Sequence, residues 1–212
     1  MNEYFLIFTI LLLFNSCNSV EVGETIKLPE PKKEGGMPLY EALYHRKTSR
    51  EYDGSATISE ELLSQALWSC YGVGEDNHRT VPSAKAWYPF IIHVFTVDGI
   101  YKYLPETHEL EKLFDGDYRK ITGTQPEIVT KAAVNLVFIG DLEKYSAKLD
   151  KKMKREALKY DIGYPTMVLY LFASGNNMKG VVRGNIDASR ILKFLGYEPE
   201  NYGIPLAFSL GY

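Results

Sequence analysis

The segment HRKTSREY, residues 45–52, sets Arg46, Lys47, Thr48 and Arg50 within five residues of one another. Three cations that close repel one another in isolation. Around a phosphate they fit, because charge-assisted hydrogen bonds to an anion are strong and a guanidinium matches its oxygens. A solvated charged turn has the same composition, so the cluster alone leaves both readings open. A second stretch, RTVPSAKAWYPF at residues 79–90, places Pro82, Ser83, Ala84, Lys85 and Ala86 between a cation and two aromatics. Small side chains let a backbone lie close to a planar ligand, and Ser83 adds a hydroxyl. The same residues also make an ordinary turn before a strand. The third piece, VVRGNID, puts Arg183 and Gly184 after a strand and before a helix cap. Backbone N–H groups there can meet an acceptor, and a plain strand-turn-helix connection reads alike. His45, His78, His93 and His108 are scattered, with no pair at metal spacing. Neither a P-loop nor a serine-nucleophile motif occurs.

These pieces need elements to hold them. PLYEALYHR reads as a short helix. SEELLSQALWSCYG reads as a longer one, with Ser59 as cap, Glu60 and Glu61 in the first turn and Gly72 at the end. Cys70 falls on its apolar face and reads as a buried structural thiol. FIIHVFTV is β-branched and alternating, and IYKYL after Asp98-Gly99 is its hairpin partner. PETHELEKL and the DYRKITG region read as short helices or turns. AAVNLVFIG is nearly all apolar and reads as a fully buried strand. A helical region is expected over 143–176, with Pro165 kinking it or marking a restart. A short strand with a turn in KGVVRGNID, a capped helix in DASRILKFLGY and a final strand in IPLAFSLGY complete a mixed α and β chain.

The 212 residues are 45% hydrophobic and 24% charged, enough for one substantial core. A net charge of −3 without a Lys/Arg stripe argues against a nucleic-acid partner. The N-terminus differs from the rest. The run from Tyr4 to Phe14 is apolar but shorter than the ~20 residues a membrane span needs. Followed by NSC, it resembles a bacterial lipoprotein signal, which implies lipidation at Cys17 and an anchored location in the cell envelope, on its periplasmic or surface side. Residues 1–17 are then signal, 18–36 a flexible polar tether and 37–212 the globular domain.

In order, RKTSREY, RTVPSAKAWYP, DGIYKY, GTQPEIVTKAAVNLVF, DIG, LYLFA and GNIDASRILKFLGY form a set. That set resembles the FMN-dependent nitroreductase family over Leu39 to Tyr212. The likeness is greatest to its azoline dehydrogenase branch, which forms thiazoles and oxazoles in peptides. The resemblance implies an α+β fold, a central antiparallel sheet flanked by helices, and an intertwined homodimer with FMN at the subunit interface. It implies that Arg46, Lys47, Thr48 and Arg50 hold the phosphate and ribityl chain. Pro82, Ser83, Ala84 and Lys85 would line the ring from the partner subunit, with Trp87 or Tyr88 bordering the pocket. Backbone N–H groups of Arg183 and Gly184 would lie near flavin N5 and O4. Hydride would pass through N5 to or from a small-molecule or peptide substrate. Lys159, Tyr160 and Tyr88 are the candidate proton donors or acceptors. Three departures from the pattern point to weaker FMN binding: Lys85 in place of glycine, Met167-Val168 in place of Gln-Asn, and a chain stopping at SLGY without a terminal base. They also keep a second reading open, a tethered module that binds a flavin or a peptide without turnover.

Overall fold

The computed structural model describes residues 21–212. The signal expected over 1–17 and the lipidation expected at Cys17 lie outside the described residues.

The chain organises around β5 (Val134–Asp141), the apolar run singled out in the sequence. Leu136 and Phe138 point into one core, and Val137 and Ile139 into a second core on the opposite face. Burial on both faces explains why this strand lacks the alternation of a half-exposed one. β2 (Phe90–Phe95) pairs antiparallel with β5 from Phe90↔Gly140 to Phe95↔Asn135. On the other side β8 (Ala207–Gly211) pairs with β5, and β6 (Lys179–Arg183) pairs with β8. Beyond β2 come β3 (Gly99–Leu104), β4 (Glu109–Asp115) and β1 (Thr25–Lys27). The strand order is β1-β4-β3-β2-β5-β8-β6, with β7 (Tyr202–Gly203) added at the end of β5. Every pairing among the described strands is antiparallel.

Helices cover both faces. α2 (Glu60–Tyr71) and α5 (Gly163–Gly175) bring Leu67 and Leu169 onto the Phe138 face. Ser59 caps α2 by accepting from the Leu62 N–H, and Cys70 is buried on its inner face, where desolvation pushes its thiol pKa up. α6 (Ala188–Phe194), capped by Asp187, brings Ile191 and Leu192 onto the Ile139 face. α1 (Leu39–His45) lies along α5, where the Ser174 hydroxyl donates to the Ala42 carbonyl at 2.8 Å. α3 (Pro126–Val129) is a single turn.

Three expectations are corrected. ELEKLFD is strand β4, not a helix or turn: its alternation buries Leu110 and Lys112 as the third strand of the β2–β3 meander. The helical region expected over 143–176 starts only at Lys151, as α4 (Lys151–Asp161), and the restart expected near Pro165 falls at Ile162, where α5 follows. Pro165 sits in the first turn of α5, where its missing N–H costs no helical bond. The segment expected as a tether is extended but docked in its middle. β1 pairs with β4, Leu28 is buried, Ser64 donates to the Pro29 carbonyl, and the Lys32 N–H donates to Gln65.

His93 on β2 is fully buried beside Tyr197, and among the described residues no hydrogen bond of good geometry reaches its Nδ1. Desolvation, then the Lys102 charge, push its pKa from 6.5 down to about 3. The unfolded chain therefore takes up this proton first. Its contribution is complete above pH 6.5 and is lost as pH falls toward 3. Urea unfolding should show stability dropping by up to about 1.4 kcal/mol per pH unit across that window. His93→Leu should flatten the slope; an unchanged slope would rule His93 out as its source.

Candidate active site

The cation cluster lies on an extended segment after α1. The Ser49 N–H donates to the Gly180 carbonyl at 3.1 Å, the Asp53 N–H to the Tyr212 carbonyl at 2.7 Å, and the Tyr52 hydroxyl to the Ser209 carbonyl at 2.9 Å. The segment is thereby laced to β6 and β8. Tyr170, on α5, organises its start. Its hydroxyl oxygen accepts from the Val182 N–H at 3.0 Å and meets the Thr48 hydroxyl at 3.2 Å. The Arg46 guanidinium stacks over its ring at 5.5 Å. Among the described residues no carboxylate pairs with Arg46, Lys47 or Arg50. Arg46, Lys47 and Lys179 line a cleft of about 810 Å³ beside Tyr44 and His45. The sequence carried Tyr170 within LYLFA, but nothing in that pattern gave it a role; a lone hydroxyl in an apolar helix was the one available signal.

The small-residue stretch forms a tight loop between α2 and β2. Lys85, Ala86 and Tyr88 adopt positive φ of 50°, 55° and 44°, a conformation uncommon for residues with a Cβ. Pro82, Ala84, Lys85 and Ala86 are exposed. The Ser83 hydroxyl, expected to face a ligand, donates instead to Asp161 at 2.8 Å and accepts from the Tyr88 N–H at 3.0 Å. The Lys85 ammonium lies 5.7 Å from the Trp87 ring. On the preceding side Arg79 stacks over Tyr71 and pairs with Glu106.

Arg183 and Gly184 close β6. Gly184 is exposed, so its backbone can be approached. The Arg183 side chain turns inward and is 4% exposed. It donates to Ser209 Oγ at 2.8 Å, the Thr122 carbonyl at 2.7 Å and Asn135 Oδ1 at 3.3 Å. No carboxylate partner is present among the described residues, and burial lowers its pKa to about 10. A Cβ on Gly123 would run into this guanidinium, so the glycine is a packing requirement. The Arg183 backbone pairs with Ala207 of β8. Since the Val182 N–H takes the outer edge, the Arg183 N–H expected to face a ligand is turned into the sheet; Gly184 is the exposed member of the pair.

The cation cluster and the end of β6 meet through Tyr170, whose hydroxyl contacts both Thr48 and the Val182 N–H, while the loop is held by Asp161. Asp161, which anchors the loop, closes α4, and Tyr170, which anchors the cations, stands in α5; no hydrogen bond or ion pair among those described joins loop to cluster. Lys159 pairs with Glu156 at 2.7 Å, and Tyr160 is exposed. Tyr170→Phe should cost about 1 kcal/mol in urea unfolding by leaving the Val182 N–H unpaired. It should also speed hydrogen exchange at that amide; unchanged exchange would show that Tyr170 does not hold β6.

Comparison with known proteins fits this architecture. The family model described as the nitroreductase family matches residues 43–212. A curated protein of Methanocaldococcus jannaschii named as a nitroreductase is 27% identical over 184 residues, 82% of this chain and 91% of that one. A crystal structure from Ralstonia eutropha JMP134, also named as a nitroreductase, superposes with a TM-score of 0.80 at 27% identity, covering 91% of each chain. The Escherichia coli microcin synthetase McbBCD complex with truncated pro-MccB17 bound gives 0.66 at 18% identity, covering 99% of this chain and 84% of that one. A nitroreductase-named structure in complex with FMN from Desulfovibrio desulfuricans gives 0.59 at 18%, covering 84% and 87%. At 18% identity these last two show the shared fold. From the family match, with the antiparallel sheet and flanking helices, the chain belongs to the nitroreductase family of oxidoreductases.

Proposed function

We propose that this domain is an FMN-dependent oxidoreductase acting as a homodimer. One observation carries the reading: Arg46, Lys47 and Arg50 lie on a segment laced to the sheet, with no carboxylate in ion-pair contact among the described residues, and Glu41 alone faces the three cations Arg46, Lys47 and Lys179 across the cleft. Such a segment suits a phosphate. Arg46, Lys47, Thr48 and Arg50 would hold the phosphate and ribityl chain. The backbone of Pro82, Ser83, Ala84 and Lys85 would line the ring, and the exposed backbone N–H of Gly184, beside Arg183, would meet its polar edge. When bound, FMN supplies hydride transfer at N5, which leaves the protein to hold, orient and exclude water.

The dimer is supported by a bare apolar face. On α1, Tyr40 and Tyr44 are 86% and 85% exposed and Leu39 and Leu43 are exposed too; Tyr164 and Met167 are exposed on α5. Faces of this kind are commonly covered by a partner. The signal-like N-terminus supports a lipid-anchored, extracytoplasmic location. NAD(P)H is not supplied there, which favours the dehydrogenase direction, with oxygen or a quinone as acceptor. The motif set supports an azoline-bearing peptide as substrate.

Residues 21–212 should show flavin absorption bands and release FMN identifiable by mass. Arg46→Ala and Arg50→Ala should each weaken FMN binding about tenfold to a hundredfold, with stability nearly unchanged. A protein that stays colourless after incubation with FMN would sink this reading. It would leave a module for a partner peptide or another flat ligand, a reading that Lys85 folded onto Trp87 favours.

A further inference from the structure

Asp161 ends α4 and is 3% exposed. A helix C-terminus carries partial negative charge, so a carboxylate there gains nothing from the helix. A buried carboxylate also needs hydrogen bonds or a cation to replace its water. No ion pair to it occurs among the described residues. Its donors are the Ser83 hydroxyl at 2.8 Å, the Ala84 N–H at 3.2 Å and the Tyr145 hydroxyl at 3.5 Å. Burial, then the Asp161 charge, raise the Tyr145 pKa, so that phenol stays protonated and remains a donor.

Two of the three donors belong to the loop before β2. The Ser83 oxygen in turn accepts from the Tyr88 N–H at 3.0 Å, so the carboxylate ties the first residue of the loop and, through it, the last. Between and beside these ties stand Lys85, Ala86 and Tyr88, all at positive φ. A backbone of that kind persists only where its surroundings over-determine it. The sequence carries this carboxylate within DIG, but that motif gives it no role.

We infer that Asp161 is a positioning residue: its carboxylate clamps the Ser83–Tyr88 loop in the shape that faces the ligand. Ser83 serves the clamp rather than the ligand. Because Asp161 leads into α5 through Ile162, loop and helix joint are held as one body. The ligand named here rests on the proposed flavin function; the clamp itself belongs to the protein without ligand and is tested without it.

Trypsin cleavage after Lys85, identified by mass, reads the opening of the loop. Circular dichroism confirms that each variant is folded. Asp161→Ala should be cut there about tenfold faster than the parent. Asp161→Asn keeps an acceptor oxygen in the same shape and should fall between. Ser83→Ala should loosen the loop severalfold, and adding Asp161→Ala to it should do less than Asp161→Ala does alone, because the two share a bond. Equal cleavage in parent and folded Asp161→Ala, or effects that add independently, would overturn the clamp. If Asp161→Ala does not fold, Asp161→Asn and Ser83→Ala decide: cleavage at the parent rate in both overturns it. FMN titration is the second readout. Asp161→Asn should bind about tenfold more weakly than the parent and shift the flavin bands. Equal affinity with identical bands overturns the link to the ligand. A parent that takes up no FMN removes the flavin reading, while the cleavage rates still decide the clamp.

Discussion

The burial of β5 on both faces is the constraint on which the rest of the structure depends. A strand sealed by α2 and α5 on one side and α6 on the other has no edge or face left to water. Each backbone polar group must then be answered by β2, β7 or β8. This fixes the register of both neighbours, because a one-residue slip would exchange Phe138 with Ile139 between two cores of different shape. Both site elements inherit that rigidity. The small-residue loop runs directly into β2, and the cation segment is laced to β6 and to the end of β8.

Two buried charges show how the same problem is solved twice without a counter-ion. Around Arg183 the oxygens of Thr122, Asn135 and Ser209 converge, and Asn135 is the fully buried polar side chain of β5. Its amide also donates to the Val129 carbonyl, and its oxygen accepts from Ser209, so it cannot turn away. Around Asp161 the donors come from Ser83, Ala84 and Tyr145. In both cases dipoles fixed by the backbone do what mobile water would do outside. Such sets tolerate little change, since an unmet buried group is more expensive than the bond it replaces is valuable. Gly123 belongs to the first set as much as its polar members do, because any side chain there would displace the guanidinium.

What was legible in the sequence follows from how local each signal is. The α2 cap at Ser59, the apolar run of β5, the hairpin after Asp98 and the helix capped by Asp187 are written in adjacent residues, and they stand as read. β4 was not legible. Glu109 to Asp115 mixes charge and aliphatics in a way that suits a short helix equally, and only pairing with β3 selects the strand. The docking of residues 25–32 was hidden for the same reason, since its partners are Gln65, Ser64 and β4, far along the chain. At the site, the cations and the loop could be named from composition. Tyr170 and Asp161 stood within LYLFA and DIG but their roles could not be read, because the cation and loop residues they hold, Thr48 and Ser83, are far along the chain.

α5 gives these long-range contacts a common geometry. The joint that begins it holds Asp161, and its third turn holds Tyr170. The α4–α5 joint and α5 together therefore set the loop and the cation segment. Leu169 and Phe172 anchor α5 in the core, which steadies that arrangement. That rigidity has a consequence for the proposed dimer. If a second copy supplies the loop that one chain's cations lack, alignment across the interface is decided by how two such helices meet. The exposed side chains on α1 and α5 lie on the elements that border the cation cleft. A surface serving both purposes would make cofactor binding and subunit association report on each other, since whatever orders the cleft also orders the face beside it.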